Sequence, residues 1–341
     1  MKRIIFPLLL LFAFQNNYGQ LSDSLRKYYI LVNEAEINIV DAHYIEALNI
    51  YDNAFVYKAN PFKKDIYNQA ICAVLVNDYN KAYSNVKSLV DYGYEIDSLT
   101  NKREFESFFN SKFGRKLKQY KEKNIKLYNT DLRLRYDSLL RIDQYFRVKE
   151  GSYDVYGDTI EKIDNSNVLI LNNLINKYGF PSEELVGAYP YFDYEPIKTI
   201  VIHNQAGSRG KRYDYTKILY DALYKGDLDV RSALQLIEGS TSNNYYGFFI
   251  TGLIRVGMKA NKGNPEKLSN WGFYDVKEKE QEYNKRREEI GLDTLADSRK
   301  KAIHSLKDKR FYLGSISSKK TEYWKEKKDY EYALKNLILI E

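Results

Sequence analysis

The sequence predicts a mainly α protein: repeated helical hairpins at the N-terminal end, followed by a helical C-terminal domain with at most a few short strands. Three observations predict it. Apolar residues recur at helical spacing through most of the chain, few stretches alternate with period two, and glycines close the apolar runs at Gly179, Gly226, Gly239 and Gly291. A chain of 341 residues exceeds what one hydrophobic core normally covers, so two domains are expected, residues 21–127 and 128–341. With six prolines and no Ser- or Gly-rich linker, the two should abut directly.

The chain opens MKRIIFPLLLLFAFQNNYGQLSDS, in which Lys2 and Arg3 precede an apolar run from Ile4 to Phe14. That run is too short for a bilayer, which needs roughly 20 residues, and a polar stretch follows it, so residues 1–20 read as a signal peptide. The expected mature protein starts near Gln20 or Leu21, keeps no transmembrane anchor, and is exported to the periplasm or the outside of a Gram-negative bacterium. No cysteine stands at the cleavage region for acylation. Cys72, the single cysteine, lies in AICAVLV and reads as a small buried residue without a disulfide partner.

The formal charge is +7, with 53 Lys and Arg against 46 Asp and Glu. These charges alternate in KEKEQEYNKRREE and KKTEYWKEKKDYE, the pattern of a solvated helical face and not of a nucleic-acid footprint, so no nucleic-acid partner is expected. The 33 tyrosines are scattered through the chain, which fits a compositional bias better than a stacking platform.

Residues 23 to 93 carry a weak repeat. Aligning YIEALNIYDNAFVYKANP with DYNKAYSNVKSLVDYGY places Ala47 on Ala82, Tyr51 on Val86 and Ala54 on Leu89. The offset is close to the 34-residue period of tetratricopeptide-like helix pairs, in which a small residue lets two helices approach closely. Leu31 with Ala35, and Ile66 with Ala70, supply the preceding helices. A third, degenerate pair is expected in SLTNKREFESFFNSKFGRKLKQYKEK, with Phe105, Phe108, Phe109 and Phe113 as core.

Beyond Thr130 the periodicity restarts. TDLRLRYDSLLRIDQYFRV predicts a long helix capped by Thr130 or Asp131, with Leu132, Leu139, Ile142 and Phe146 on its apolar face. Arg133 with Asp137, Asp137 with Arg141, and Asp143 with Arg147 stand at spacing four. DNSNVLILNNLINKYGFP predicts a helix opening on an Asp or Asn cap, burying Val168, Leu171, Leu174, Ile175 and Tyr178, and stopping at Gly179 before Pro181. DYTKILYDALYKGD, DVRSALQLIEG and KEQEYNKRREEIGL read as further helices, with room for short strands near 153 to 160 and 245 to 256 and a charged helical extension from about 314.

IDQYFR at 142–147, GFP at 179–181, VG at 186–187, the histidine at 203, YG at 246–247 and RREEIGL at 286–292 occur in that order. Together they resemble the bacterial family known as domain of unknown function 6624, over about residues 131 to 313. The resemblance implies no particular activity; it marks Asp143, Gln144, Arg147, Gly179, Pro181, Gly187, His203, Tyr246, Gly247, Arg287 and Gly291. Two departures stand out: Ile202 precedes His203 where the family pattern has a glutamine, and Phe248 and Phe249 follow Gly247 where it has polar residues. They imply that part of a polar lining has been lost.

His203 ends the apolar run IKTIVIH. Pro196 suits a first helical position, Ile197, Ile200 and Val201 follow at helical spacing, and Gly207 supplies a stop, so His203 falls in a last turn. Three readings are open, one of them a polar ligand-binding contact. A histidine there can bond a free carbonyl and favour the negative end of the helix dipole without any substrate. Alternatively it is a general base or acid, with Asp143 fixing its tautomer and Arg147 holding an anionic group. Gln144, Asn204, Tyr246 and Arg287 are then the expected binding contacts. No metal is expected, since His43, His203 and His304 fall in separate helices without an HxH or HExxH pair. No cofactor is expected either: no GxxxxGK[ST] loop follows a strand, and GSRGKR at 207–212 reads as a connecting loop. No GxSxG elbow supports serine hydrolysis.

Two functions fit these features. One is an exported interaction or scaffold protein that binds a protein or peptide through the N-terminal repeats. The other is an extracytoplasmic, hydrolase-like enzyme using His203 with Asp143 and Arg147.

Overall fold

The computed structural model describes residues 21–121, 125–189, 192, 195–206, 212–241, 244–259, 265–313 and 320–340. The expected signal peptide at 1–20 therefore lies outside the described residues, as do Gly207 and most of the 207–212 loop. No helix among the described residues is long and apolar enough to cross a membrane. The protein is mainly helical with one small sheet.

The N-terminal helices are α1 (Asp23–Val40), α2 (Tyr44–Phe55), α3 (Lys63–Leu75) and α4 (Tyr79–Asp91). Ser22 and Asp78 cap α1 and α4 by accepting the N–H groups of Leu25 and Lys81. α1 packs on α2, α3 on α4, and α2 on α3. All six residues of the sequence register, Ala47, Tyr51, Ala54, Ala82, Val86 and Leu89, are fully buried. The expected third pair is broken into short pieces: α5 (Ile96–Thr100), a 3-10 turn at 103–105, α6 (Glu106–Asn110) and α7 (Lys112–Lys121). Ser111 interrupts it with an extended backbone, and its hydroxyl donates to the Phe108 carbonyl. Phe105, Phe108 and Phe109 are buried core, as their spacing predicts.

Next come α8 (Thr130–Arg147), α9 (Ser152–Tyr178), α10 (Glu183–Val186), α11 (Glu195–Ala206), α12 (Thr216–Lys225) and α13 (Val230–Thr241). The cap of α8 is Asn129, one residue before the expected pair, with its side chain accepting the Leu132 N–H. The strand expected near 153 to 160 is absent, and no cap opens a helix at Asp164. Instead α9 runs unbroken through both positions, because buried Ile160, Asn167, Val168, Leu171 and Leu174 form one stripe at helical spacing against α8. Gly179 and Gly226 end α9 and α12 as predicted, whereas α13 continues past Gly239.

The remaining elements are β1 (Ile254–Lys259), β2 (Pro265–Leu268), β3 (Gly272–Tyr274), α14 (Glu280–Glu289), α15 (Leu295–Lys307), β4 (Lys320–Trp324), α16 (Lys327–Lys335) and β5 (Leu337–Leu339). β1 pairs antiparallel with β2 and β3 and parallel with β4, Ile254 facing Lys320 and Met258 facing Trp324, while β5 adds antiparallel to β3. The expected charged helical extension is thus corrected. Its described part is a strand, a short helix and a strand that finish the sheet, and Tyr330 and Leu337 are buried with Ile254 and Val256.

The expected boundary at 127/128 does not separate two cores. One continuous apolar cluster runs from Leu21 to Leu313, and α1 packs on α15. A buried ionic network crosses the same seam. Glu36 of α1 is bonded by Arg231 of α13 at 2.8 Å, Lys301 of α15 at 2.7 Å and Lys64 of α3 at 3.0 Å. Asp293 takes Lys301 at 2.9 Å, Arg231 at 3.3 Å and Arg287 at 2.9 Å. Burial disfavours the charged form of Glu36, but Arg231, Lys301 and Lys64 outweigh it and hold the carboxyl well below the usual carboxylate range. Gly291 sits in the left-handed region (φ +72°) directly against α1, where a Cβ would come 2.9 Å from that of Tyr29 and 3.1 Å from the Arg26 carbonyl. Asn33 donates to the Gly291 carbonyl at 2.8 Å.

Glu183 makes a further long-range tie. Its Oε2 accepts the Lys63 N–H at 2.8 Å and so caps α3, whose own N-cap residue, Phe62, offers no side-chain bond. Burial raises the Glu183 carboxyl from 4.5 to about 7, with Lys63 opposing the rise. Between those values the folded chain holds a proton that the unfolded chain has lost. The contribution to stability is therefore full below pH 4.5 and falls away as pH rises through about 7. We expect Glu183→Gln to flatten the fall in stability between pH 5 and 8 by up to about 3 kcal/mol, read from urea midpoints of both proteins across that range. Parallel profiles for the two would refute the assignment.

Candidate functional site

Three helices, α8, α9 and α11, pack against one another and bring their polar residues together. The imidazole of His203, in the last turn of α11, directs Nδ1 at the carboxylate of Asp143, 2.9 Å from Oδ2 and 3.1 Å from Oδ1. Asp143 is 1% exposed, one turn before the C-terminal end of α8, while the His203 side chain keeps a quarter of its surface open. Gln144 donates to Asp143 Oδ2 at 2.7 Å. One turn on, Arg147 lies 3.2 Å from Asp143 Oδ1, donates to the Asp143 carbonyl at 2.7 Å, and reaches across to α9, where Asp164 accepts at 2.6 and 2.7 Å. Its Nε donates to the Tyr153 hydroxyl at 3.1 Å.

The result is a chain of four groups, His203, Asp143, Arg147 and Asp164, running from the surface inward and back. A carboxylate accepts from Nδ1–H, which leaves the lone pair on Nε2, the tautomer that a general base needs. Among the described residues His203 is hydrogen-bonded to Asp143 alone. Arg147 cannot play the expected part of holding a substrate anion. Its side chain is 8% exposed and its donors already serve two carboxylates, a carbonyl and a phenol. Burial works against its charge, yet Asp164 and Asp143 outweigh that and raise its pKa. Arg147 positions Asp143.

Donor atoms of Asp143, Asp164 and His203 lie within 4.8 Å of one another. Such a set is of the kind that holds a divalent cation, but both carboxylates face the Arg147 guanidinium, so an entering cation would have to displace it.

The other expected contacts divide. Gln144 belongs to the cluster. Asn204 is buried, and its Oδ1 accepts the Tyr213 N–H at 2.8 Å, tying down the chain where it returns after α11. Tyr246 and Arg287 belong to the ionic network. Arg287, 2% exposed, donates to the Tyr246 carbonyl at 3.0 Å, the Asp293 carbonyl at 2.6 Å and Ser298 at 2.6 Å. The Tyr246 and Phe248 N–H groups go to the Glu238 carboxylate. Their role is to fix the turn around Gly247, with no open face for a ligand.

The residue missed by sequence reading is Asp164, taken as a cap. The signal for its true place was the extension of the apolar spacing upstream, through Ile160. Comparison of the chain with family models, with curated proteins and with solved structures finds no match in any of the three, so the functional reading of this site rests on its geometry.

Proposed function

We propose that the protein is an extracytoplasmic acid–base enzyme of the hydrolase kind, in which His203 is the proton-transferring group and Asp143, held by Arg147 and Asp164, is its positioning residue. The observation that carries this reading is the 2.9 Å contact between His203 Nδ1 and a buried carboxylate, with the imidazole edge partly open to solvent. In this reading Nε2 takes a proton from an attacking water, the imidazolium is stabilised by Asp143, and the same proton is returned to the leaving group. Asp143 and Asp164 carry one negative charge more than Arg147, so the proton gained at Nε2 brings the four groups to formal neutrality. The absence of a side-chain nucleophile bonded to His203 among the described residues suits water as the attacking group.

A scaffold role that binds a partner at the N-terminal repeats has less support. The inward side chains of α1 and α3 that a partner would meet are taken by the chain itself: Asn33 and Glu36 by Arg231 and Lys301, and Asn68 by the Tyr312 backbone.

The test is a panel of ester, amide, glycoside and phosphodiester substrates given to the purified protein and to His203→Gln. We expect turnover of one class and a loss of at least about 100-fold in the variant. No turnover of any class, or turnover that survives the substitution, would overturn the reading.

A further inference from the structure

At the turn between α8 and α9, beside the His203 cluster but not part of it, three rings surround an ammonium. Lys149 Nζ lies 4.1 Å from the ring centroid of Tyr145, 4.7 Å from that of Phe146 and 5.8 Å from that of Tyr156. Tyr145 and Phe146 meet edge to face at 4.9 Å and 89°, and Phe146 and Tyr156 are tilted at 5.1 Å and 44°. The two α8 rings are neighbours in sequence. Tyr156 comes from the start of α9, turned back onto them by Gly151 in the left-handed region (φ +80°). Nearness in sequence, with Lys149 two residues past the end of α8, explains the contact between Lys149 and Tyr145, but not the convergence of a ring from the next helix.

Lys149 is bound by the rings alone. Among the described residues its ammonium has no hydrogen bond and no ion pair, although Glu150 and Asp154 stand close in sequence. An ammonium held only by ring faces can be exchanged for another at small cost, since exposed cation–π contacts contribute about 0.5–1 kcal/mol each. Tyr145 is 55% exposed, so the pocket opens to solvent.

We propose that Tyr145, Phe146 and Tyr156 form an aromatic cage for an organic ammonium, and that Lys149 occupies it in the free protein as a built-in stand-in. The three rings select a cation over an anion or a neutral group, because ring faces carry negative potential. Lys149 then acts as a competitor that lowers apparent affinity by the fraction of time it fills the cage. Binding at the cage is independent of the reaction proposed for His203.

The experiment titrates the full chain with choline, following ring resonances by NMR, beside the uncharged isostere 3,3-dimethylbutan-1-ol. Choline should shift the Tyr145, Phe146 and Tyr156 signals and the isostere should not. Lys149→Ala should tighten choline binding roughly 10-fold, as expected if Lys149 fills the cage about nine-tenths of the time. Tyr156→Leu, which keeps apolar bulk, should weaken it. Phosphatidylcholine and phosphatidylglycerol vesicles separate a lipid headgroup from a free ligand: retention on the former alone identifies the headgroup as a source of the same ammonium. Equal response to choline and isostere, or no response in either the wild type or Lys149→Ala, would overturn the proposal, whereas retention on neither vesicle assigns the cage to a free ligand.

Discussion

Asp143→Asn is expected to lower kcat of the reaction proposed for His203 by about 100- to 10,000-fold while leaving KM within a few-fold. The carboxylate accepts from Nδ1–H at 2.9 Å and so keeps the lone pair on Nε2. A carboxamide at that position can turn its NH2 toward Nδ1, and the imidazole then carries its proton on Nε2, where it cannot accept another. The pair between Arg147 and Asp164 remains, so the helices stay docked and the loss is chemical in origin. Two readouts separate this from unfolding: the thermal midpoint, which should fall by far less than activity, and the nitrogen shifts of His203, which should report the exchanged tautomer. Activity within three-fold of the wild type would show that Asp143 does not orient the histidine.

Glu36→Ala should have the largest effect on stability. Its carboxylate is fully buried and faces Arg231, Lys301 and Lys64. Removing it leaves three cations with one fewer counter-ion in a region closed to water, and breaking a buried pair in this way costs about 3–5 kcal/mol. Urea unfolding of the variant measures the loss. Adding Lys301→Met, which takes away one of the stranded cations, should restore part of it, so that the double variant is less destabilised than the two single changes summed. A loss below about 1 kcal/mol would mean that water reaches the network.

The helices were largely legible in the sequence, because apolar spacing and terminal glycines are local signals. Asp143, Arg147 and His203 were marked by the family resemblance, and two of them stand four apart on one helix. The role given to Arg147 was not legible: a guanidinium looks the same in a sequence whether its fork is open or filled, and Asp164, which fills it, was hidden by its likeness to an N-cap. The ionic core was invisible for a related reason. Glu36 and Arg231 are far apart in the chain, both from each other and from Asp293 and Lys301, and charges in a polar-looking helix read as solvated unless their partners are known. Arg287 was singled out, but as a contact for a ligand. The C-terminal sheet was obscured because Lys and Glu in KKTEYWKEKKDYE mimic an exposed helix, while β4 is only five residues long and shows no in-and-out alternation.

β1 lies between β4 on one side and β2 and β3 on the other, and β4 is separated from it by some sixty residues of chain. Until β4 has been synthesised and docked, a central strand offers bare N–H and C=O groups along one whole side. Chains cut short before Lys320 would therefore carry an open adhesive edge, and should clump with one another where a chain that includes β4 stays dispersed.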